Sequence, residues 1–225
     1  MYILNPAAVR DISDILLDAH GVLRVVPAAA LEKTTPQERL AFGVRRGLYS
    51  FPTEELCAFL RGRIGGRTAI EIGAGPGVLA KALNIPATDN RQQEEPAMQA
   101  YYQSLRQSTV PYGEHVEKLD AAAAVKKYRP QVVVACWVTH RFDPQRPHAG
   151  GSTSGVTEAS IIASCEEYIF VGNEHLHAHK PIWTLPHAKY TPPWLFSRAI
   201  NRTRDFIAIW RNGNRVQDVL EHGTK

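Results

Sequence analysis

Long apolar runs are missing from this sequence. The longest, Val132 to Val138, has seven residues, against the roughly 18 that a membrane-spanning helix needs. Near its start the chain meets Pro6, Arg10, Asp11, Asp14 and Asp18 before any apolar stretch of signal-peptide length can form, so the expected address is the cytoplasm. Cysteine is scarce as well: Cys57, Cys136 and Cys165 stand far apart and make no CxxC pair. That spacing excludes a disulfide framework and leaves three buried thiols as the expectation. Neither sign of charge dominates, with 26 Lys and Arg against 22 Asp and Glu. The net charge of +4 and pI near 9.0 admit a polyanionic partner, but the bases are scattered. Arg61, Arg63 and Arg67, then Lys126, Lys127 and Arg129, then Arg198, Arg202 and Arg204 read as solvated helix surface, not one nucleic-acid-binding face.

What is present is globular. A chain of 225 residues with 44% hydrophobic and 21% charged residues suits a single core. Residues 1–48 hold two candidate helices, Ala7 to Ala19 and Pro36 to Arg46, divided by Gly21, Pro27 and Pro36. They read as a helical preamble or lid ahead of a domain spanning 49–225. Thr53 caps a helix that carries Glu54 and Glu55 in its first turn and Leu56, Phe59, Leu60 and Ile64 on one face, ending at Gly65 and Gly66. Short apolar runs then alternate with helix-length segments. Strands are expected at Ala69 to Ile72, Ile85 to Thr88, His115 to Leu119, Val132 to Val138, Tyr168 to Val171 and Phe206 to Trp210. Helices are expected at Val78 to Leu83, behind Pro96, at Ala121 to Tyr128, from a Thr157 cap to Cys165, and at Trp194 to Asn201. Val132 to Val138 is apolar on both faces, which suits the centre of a parallel sheet. The alternation points to an α/β fold, a doubly wound and mostly parallel sheet with helices on both faces and ligands outside the strands' carboxyl ends.

The most informative segment is Ile70-Glu71-Ile72-Gly73-Ala74-Gly75-Pro76-Gly77-Val78, a strand running into a glycine turn and a helix. Glycines there let the backbone approach a ligand, and the helix amides behind favour negative groups. The third glycine comes one position too early for the dinucleotide fingerprint GxGxxG, which disfavours NAD and FAD.

The spacing Glu71-x-Gly73-x-Gly75-x-Gly77, with Asp89 and Asp120 at the ends of the next two strands, resembles class I S-adenosylmethionine-dependent methyltransferases over roughly Tyr49 to Val171. The resemblance implies a Rossmann-like sheet and S-adenosylmethionine as cofactor, with S-adenosylhomocysteine as product. It implies that Glu71, Gly73, Ala74, Gly75 and Gly77 approach the methionine part and that Asp89 receives the ribose hydroxyls. Asp120, with the neighbouring Ala121 amide, would serve the adenine. A carboxylate suits a vicinal diol because it accepts two charge-assisted hydrogen bonds at once. By the same resemblance Tyr49, Trp137 and His140 face the acceptor, and the family's sheet ends in a pair of antiparallel strands. The (Asp/Asn/Ser)-Pro-Pro-(Tyr/Phe) motif of base-amino methyltransferases does not follow the fourth strand.

His140 and Glu174, each just past a strand end, are candidate general bases. No metal is expected. His175, His177 and His179 alternate along the chain and would share a face if extended, but HExxH is absent and no cysteine is near. Gly151 to Gly155 reads as a flexible loop or lid, since a nucleophile elbow requires serine at its centre and Thr153 stands there. Trp183, Tyr190, Trp194 and Phe196 read as packing before pocket, and Tyr49 and Phe51 sit where this fold closes over its cofactor. The expected function is methyl transfer to an oxygen or nitrogen of a small molecule or protein. Two alternatives remain beside it: a cofactor-binding or regulatory protein without turnover, and a nucleic-acid methyltransferase.

Overall fold

Seven of the chain's short apolar runs hydrogen-bond into one sheet in the computed structural model, which describes residues 9–212. Three helices come first, α1 (Ser13–Leu16), α2 (Ala28–Glu32) and α3 (Pro36–Arg46), followed by the short strand β1 (Ser50–Phe51) and helix α4 (Glu54–Ile64). The alternating part runs β2 (Ala69–Ile72), α5 (Val78–Leu83), β3 (Ala87–Asp89), α6 (Pro96–Ser104), β4 (Val116–Lys118), α7 (Ala121–Tyr128) and β5 (Val132–Cys136). It closes with α8 (Glu158–Ala163), β6 (Glu167–Asn173), β7 (Ala188–Tyr190), β8 (Phe196–Ser197) and β9 (Asp205–Arg211).

The sheet order is β4-β3-β2-β5-β6-β9-β7. β4, β3, β2, β5 and β6 are mutually parallel, and β9 runs antiparallel to both its neighbours. This is a doubly wound, mostly parallel Rossmann-like sheet, and its far end carries the antiparallel pairing that the resemblance implied. The chain steps outward from β2 to β4 and then crosses back to β5, so the strand order reverses between β2 and β5. That reversal opens a crevice at their carboxyl ends.

β5 lies at the centre, and its two-residue period explains why it is apolar throughout. Val133 and Ala135 face Tyr168 and Phe170 under Ala124, Val125, Ile161 and Ile162 of α7 and α8. Val132 and Val134 face the opposite way, toward Leu56 and Leu60 of α4 and Leu79 and Leu83 of α5. A third cluster joins Ile12, Leu16, Val26, Leu31, Phe42, Leu48 and Phe51 of the N-terminal segment, with Phe196 packed against it. β1 pairs antiparallel with β8, Ser50 opposite Ser197 and Phe51 opposite Phe196. This two-stranded ribbon fastens the N-terminal segment to the chain's last third.

Several expected elements differ. The helix expected at Trp194 to Asn201 does not form: Phe196–Ser197 is strand β8 within turn and bend, because pairing with β1 outweighs a weak local helical preference. The helix expected from Ala7 to Ala19 is helical only at Ser13–Leu16. Its first two residues lie outside the described range, and Asp18 turns its carboxylate to the amides of His20 and Val22, which favours a turn over a helix. β3 begins one residue after Pro86, which has no N–H for a ladder. β5 stops at Cys136 because Trp137 adopts φ 60°. Thr157 precedes α8, but its side chain makes no capping bond.

Thr53 does cap α4. Its Oγ1 accepts from the Leu56 amide at 3.1 Å and donates to the Trp194 carbonyl at 3.1 Å, with the residue fully buried. Thr53→Ala is expected to cost about 1–2 kcal/mol of stability, seen as a lower urea midpoint at unchanged slope, and Thr53→Ser should recover most of it. An unmoved midpoint would show that α4 does not need this cap.

Candidate functional site

At the carboxyl end of β2 the backbone passes through Gly73, Gly75 and Gly77 at φ 59°, 55° and 74°. Side chains rarely adopt that conformation, and two of the glycines are also needed for space. A Cβ on Gly73 would run into Val138 Cγ1, and one on Gly77 would stand 2.5 Å from His115 Nε2. The turn therefore presses against the end of β5 on one side and the approach to β4 on the other.

Three carboxylates stand around this turn. Glu71 is buried, and its Oε2 accepts from the Ala80 amide at 2.8 Å. Ala80 lies in the first turn of α5, whose N-cap is Gly77, so a strand residue supplies the bond that glycine cannot. Burial, with the charge of Asp89 adding to it, pushes the Glu71 carboxyl up to about 8. Asp89, at the end of β3, accepts from the Gly75 amide at 3.0 Å and from the Arg91 amide at 2.7 Å, one bond to each oxygen. Burial raises its pKa as well. Asp120 caps α7, its Oδ1 accepting from the Ala123 amide at 2.9 Å.

These groups border one cavity of about 940 Å³. From the sequence expectation, Glu71, Gly73, Ala74, Gly75, Asp89, Asp120 and Ala121 line it. Tyr49 and Trp137 line it too, their rings 6.2 Å apart. Other lining residues were not legible beforehand. The Tyr49 and Tyr102 hydroxyls meet at 2.8 Å, and Gln93 donates to both, at 3.4 and 3.2 Å. Gln93 Oε1 accepts from the Val110 amide. Tyr102 falls on the helix expected behind Pro96, and α6 has no buried residue; nothing in the sequence marks Gln93. Across the mouth, Asn90 Nδ2 donates to the Ser154 carbonyl at 3.0 Å, tying the loop 151–155 to the end of β3.

Three expected residues are not in the cavity wall. Gly77 faces His115. His140 has a buried Nε2 without a hydrogen-bond partner among the described residues, and burial with the nearby Lys180 charge lowers its pKa. Glu174 pairs with Lys189 at 3.0 Å. The segment 174–179 is a turn, so His175, His177 and His179 do not share an extended face. His177 is buried between Phe170 and Trp137, its Nδ1 accepting from the Asn173 amide at 2.9 Å, and burial lowers its pKa to about 3. No group of three or more His, Cys, Asp or Glu is placed to hold a metal among the described residues. Trp183, Tyr190, Trp194 and Phe196 pack against the three apolar clusters. Among the described residues, no helix is long and apolar enough to cross a membrane.

No family model and no curated protein matches this chain. Among solved structures, an uncharacterized protein from Listeria monocytogenes is similar at 12% identity, covering 71% of this chain and 67% of its own, with a TM-score of 0.37. A Pyrococcus horikoshii protein provisionally named an RNA methyltransferase is similar at 12% identity, over 83% and 96% of the two chains, with a TM-score of 0.35. The METTL16 catalytic domain, solved with an RNA hairpin, is similar at 12% identity over 88% and 87%, with a TM-score of 0.37.

Two outcomes follow from the geometry. Gly73→Ala should destabilise the protein by about 1–3 kcal/mol through its positive φ and its clash with Val138, and Gly73→Ala with Val138→Ala should recover part of that loss. A single variant as stable as wild type would show that Val138 yields freely. Glu71 holds a proton in the folded protein at pH values where the unfolded chain has lost it. Its share of stability is full below about pH 4.5 and falls as pH rises toward about 8. Glu71→Gln should flatten that decline in urea titrations, and an unchanged slope would place the Glu71 pKa near its ordinary value.

Proposed function

We propose that this chain is an S-adenosylmethionine-dependent methyltransferase that transfers a methyl group to an oxygen or nitrogen. One observation carries the reading: the ends of three adjacent strands, β2, β3 and β4, deliver Glu71, Asp89 and Asp120 to one cavity beside a left-handed glycine turn. The donor set fits the group. An ionised carboxylate has about four acceptor positions, and Asp89 uses two on backbone amides and a third toward the Tyr112 hydroxyl, which leaves an acceptor for a ribose hydroxyl. Asp120 is exposed, and its capping bond engages one oxygen. The bound cofactor would supply an electrophilic methyl on a sulfonium.

The chain's own residues then bind, orient and exclude water. Gly73 and Gly75 let the backbone come close, Asp89 and Asp120 fix the nucleoside end, and Glu71 gives up its proton to become the counter-charge of a cationic group placed beside it. Tyr49, Tyr102, Gln93 and Trp137 form the wall left for the acceptor. His140 and Glu174 stand outside that wall and carry no proton in this reading. The rate comes from holding the nucleophile in line, which needs no obligatory base.

Calorimetric titration with S-adenosylmethionine and S-adenosylhomocysteine tests the cofactor. Asp89→Ala should weaken both by about 10- to 150-fold, as expected for lost hydrogen bonds to a charged acceptor worth about 1.5–3 kcal/mol. An unchanged dissociation constant would remove Asp89 from the site. Labelled methyl transfer to the small-molecule, protein or nucleic-acid fraction of a lysate identifies the acceptor class. Binding of both ligands without transfer to any fraction would replace this reading with that of a binding protein.

A further inference from the structure

Lys180 is a fully buried cation that the function proposed above does not use. Its side chain is 0% exposed, and Nζ makes two hydrogen bonds and lies over one aromatic ring. Nζ lies 2.6 Å from Glu158 Oε2, 2.9 Å from the Val138 carbonyl and 4.3 Å from the centre of the Phe170 ring. Glu158, 1% exposed, also accepts from the Tyr168 hydroxyl at 2.8 Å. Burial lowers the Lys180 pKa, with Glu158 opposing that shift.

A buried ion pair is weak evidence for stability, because apolar residues of similar volume commonly do as well. The pair's remaining bond is the informative one. Val138 follows Trp137, a bulky residue at φ 60°, where such side chains are strained. The Trp137 amide donates to the Val171 carbonyl at 2.9 Å, and the Val138 carbonyl receives Lys180. Those two bonds bracket the strained residue. Val138 then fills the space that a side chain on Gly73 would need, and the Trp137 ring stands against Tyr49. The turn thus faces the glycine turn on one side and the tyrosine wall on the other.

We propose that Lys180, held by Glu158, is a positioning residue that fixes the left-handed Trp137–Val138 turn between the cofactor half and the acceptor half of the cavity. The role in catalysis rests on the methyltransferase reading; the tether itself does not.

Residue-resolved amide hydrogen exchange separates the two. A triple variant, Lys180→Met, Glu158→Leu and Tyr168→Phe, removes every polar member together and leaves no buried charge unpaired. Exchange at residues 137–140 should rise by about tenfold or more, while residues 132–135 of β5 change by less than about threefold. The pair Lys180→Gln with Glu158→Gln keeps a side-chain N–H for the Val138 carbonyl and should retain wild-type exchange at 137–140. Tyr168→Phe alone should do the same. Unchanged exchange in the triple variant would overturn the proposal, as would an equal rise across the whole sheet or loss of protection in the glutamine pair. If the triple variant does not fold, Lys180→Met with Glu158→Gln, which removes the donor to the Val138 carbonyl and leaves no charge unpaired, decides: raised exchange at 137–140 supports the tether and unchanged exchange overturns it.

S-Adenosylhomocysteine titration of the same proteins reads the other claim. A dissociation constant in the triple variant within about threefold of wild type, with methyl transfer reduced by about tenfold or more, is the signature of positioning. A wild-type protein that binds neither ligand would remove the methyltransferase reading and leave the exchange result standing on its own.

Discussion

The site depends on a steric constraint at the place where two neighbouring parallel strands leave the sheet. β2 and β5 are paired in register up to Ile72 and Ala135, and beyond that point both chains must turn without colliding. They manage it by left-handed backbone on each side, at Gly73 and at Trp137, with Val138 filling the space that a side chain on Gly73 would take. Glycine adopts this conformation at little cost, whereas tryptophan adopts it only when neighbours hold it there. The crevice at the switch point follows from that asymmetric solution, since one strand is followed by a bare backbone turn and the other by an indole ring.

The three carboxylates each have a structural role, and the proposed function gives the same side chains a binding role as well. Glu71 caps α5, Asp89 ties β3 to the glycine turn, and Asp120 caps α7. A carboxylate anchored by one backbone amide is oriented before any ligand arrives, so binding does not have to freeze a free rotamer. The buried pair is also electrostatically frustrated. Asp89 adds to the cost of ionising Glu71 on top of desolvation, and Asp89 is itself raised by burial, so both carboxyls are costly to ionise where they stand.

The parallel part of the fold was legible because periodicity, caps and breakers agreed there. Helix α7 and strand β2 occupy the expected residues, and α4 starts at the Thr53 cap and ends at Gly65. What failed was structure set by distant partners. β8 is a strand only because β1 lies beside it, and β1 is two residues long. The same division runs through the site. Glu71, Asp89 and Asp120 sit at strand ends that the pattern located, and they reach the cavity. Gln93 and Tyr102 come from the connection between β3 and β4, where no spacing rule says which side chains turn inward. Lys180 and Glu158 were invisible for a related reason, because a Lys and a Glu in separate segments read as surface charge until the fold buries them together.

The cavity also differs in charge from the protein around it. The chain carries +4 overall, yet the ionisable acidic and basic residues lining the cavity are Glu71, Asp89 and Asp120 against Arg141 alone. Two further guanidiniums lie nearby and outside the lining, Arg198 over the Tyr49 ring at 4.0 Å and Arg91 over the Tyr112 ring at 5.2 Å, where its charge opposes the burial that raises Asp89. A low-dielectric crevice with an excess of carboxylates favours a cation and disfavours phosphate. In the proposed reading, the interior takes a ligand that brings positive charge to the glycine turn and a hydroxyl to Asp89. A sulfonium nucleoside has both features, and a dinucleotide with its pyrophosphate does not. In the proposed function, the charge of the cavity and the spacing of its glycines argue for the same ligand by separate routes.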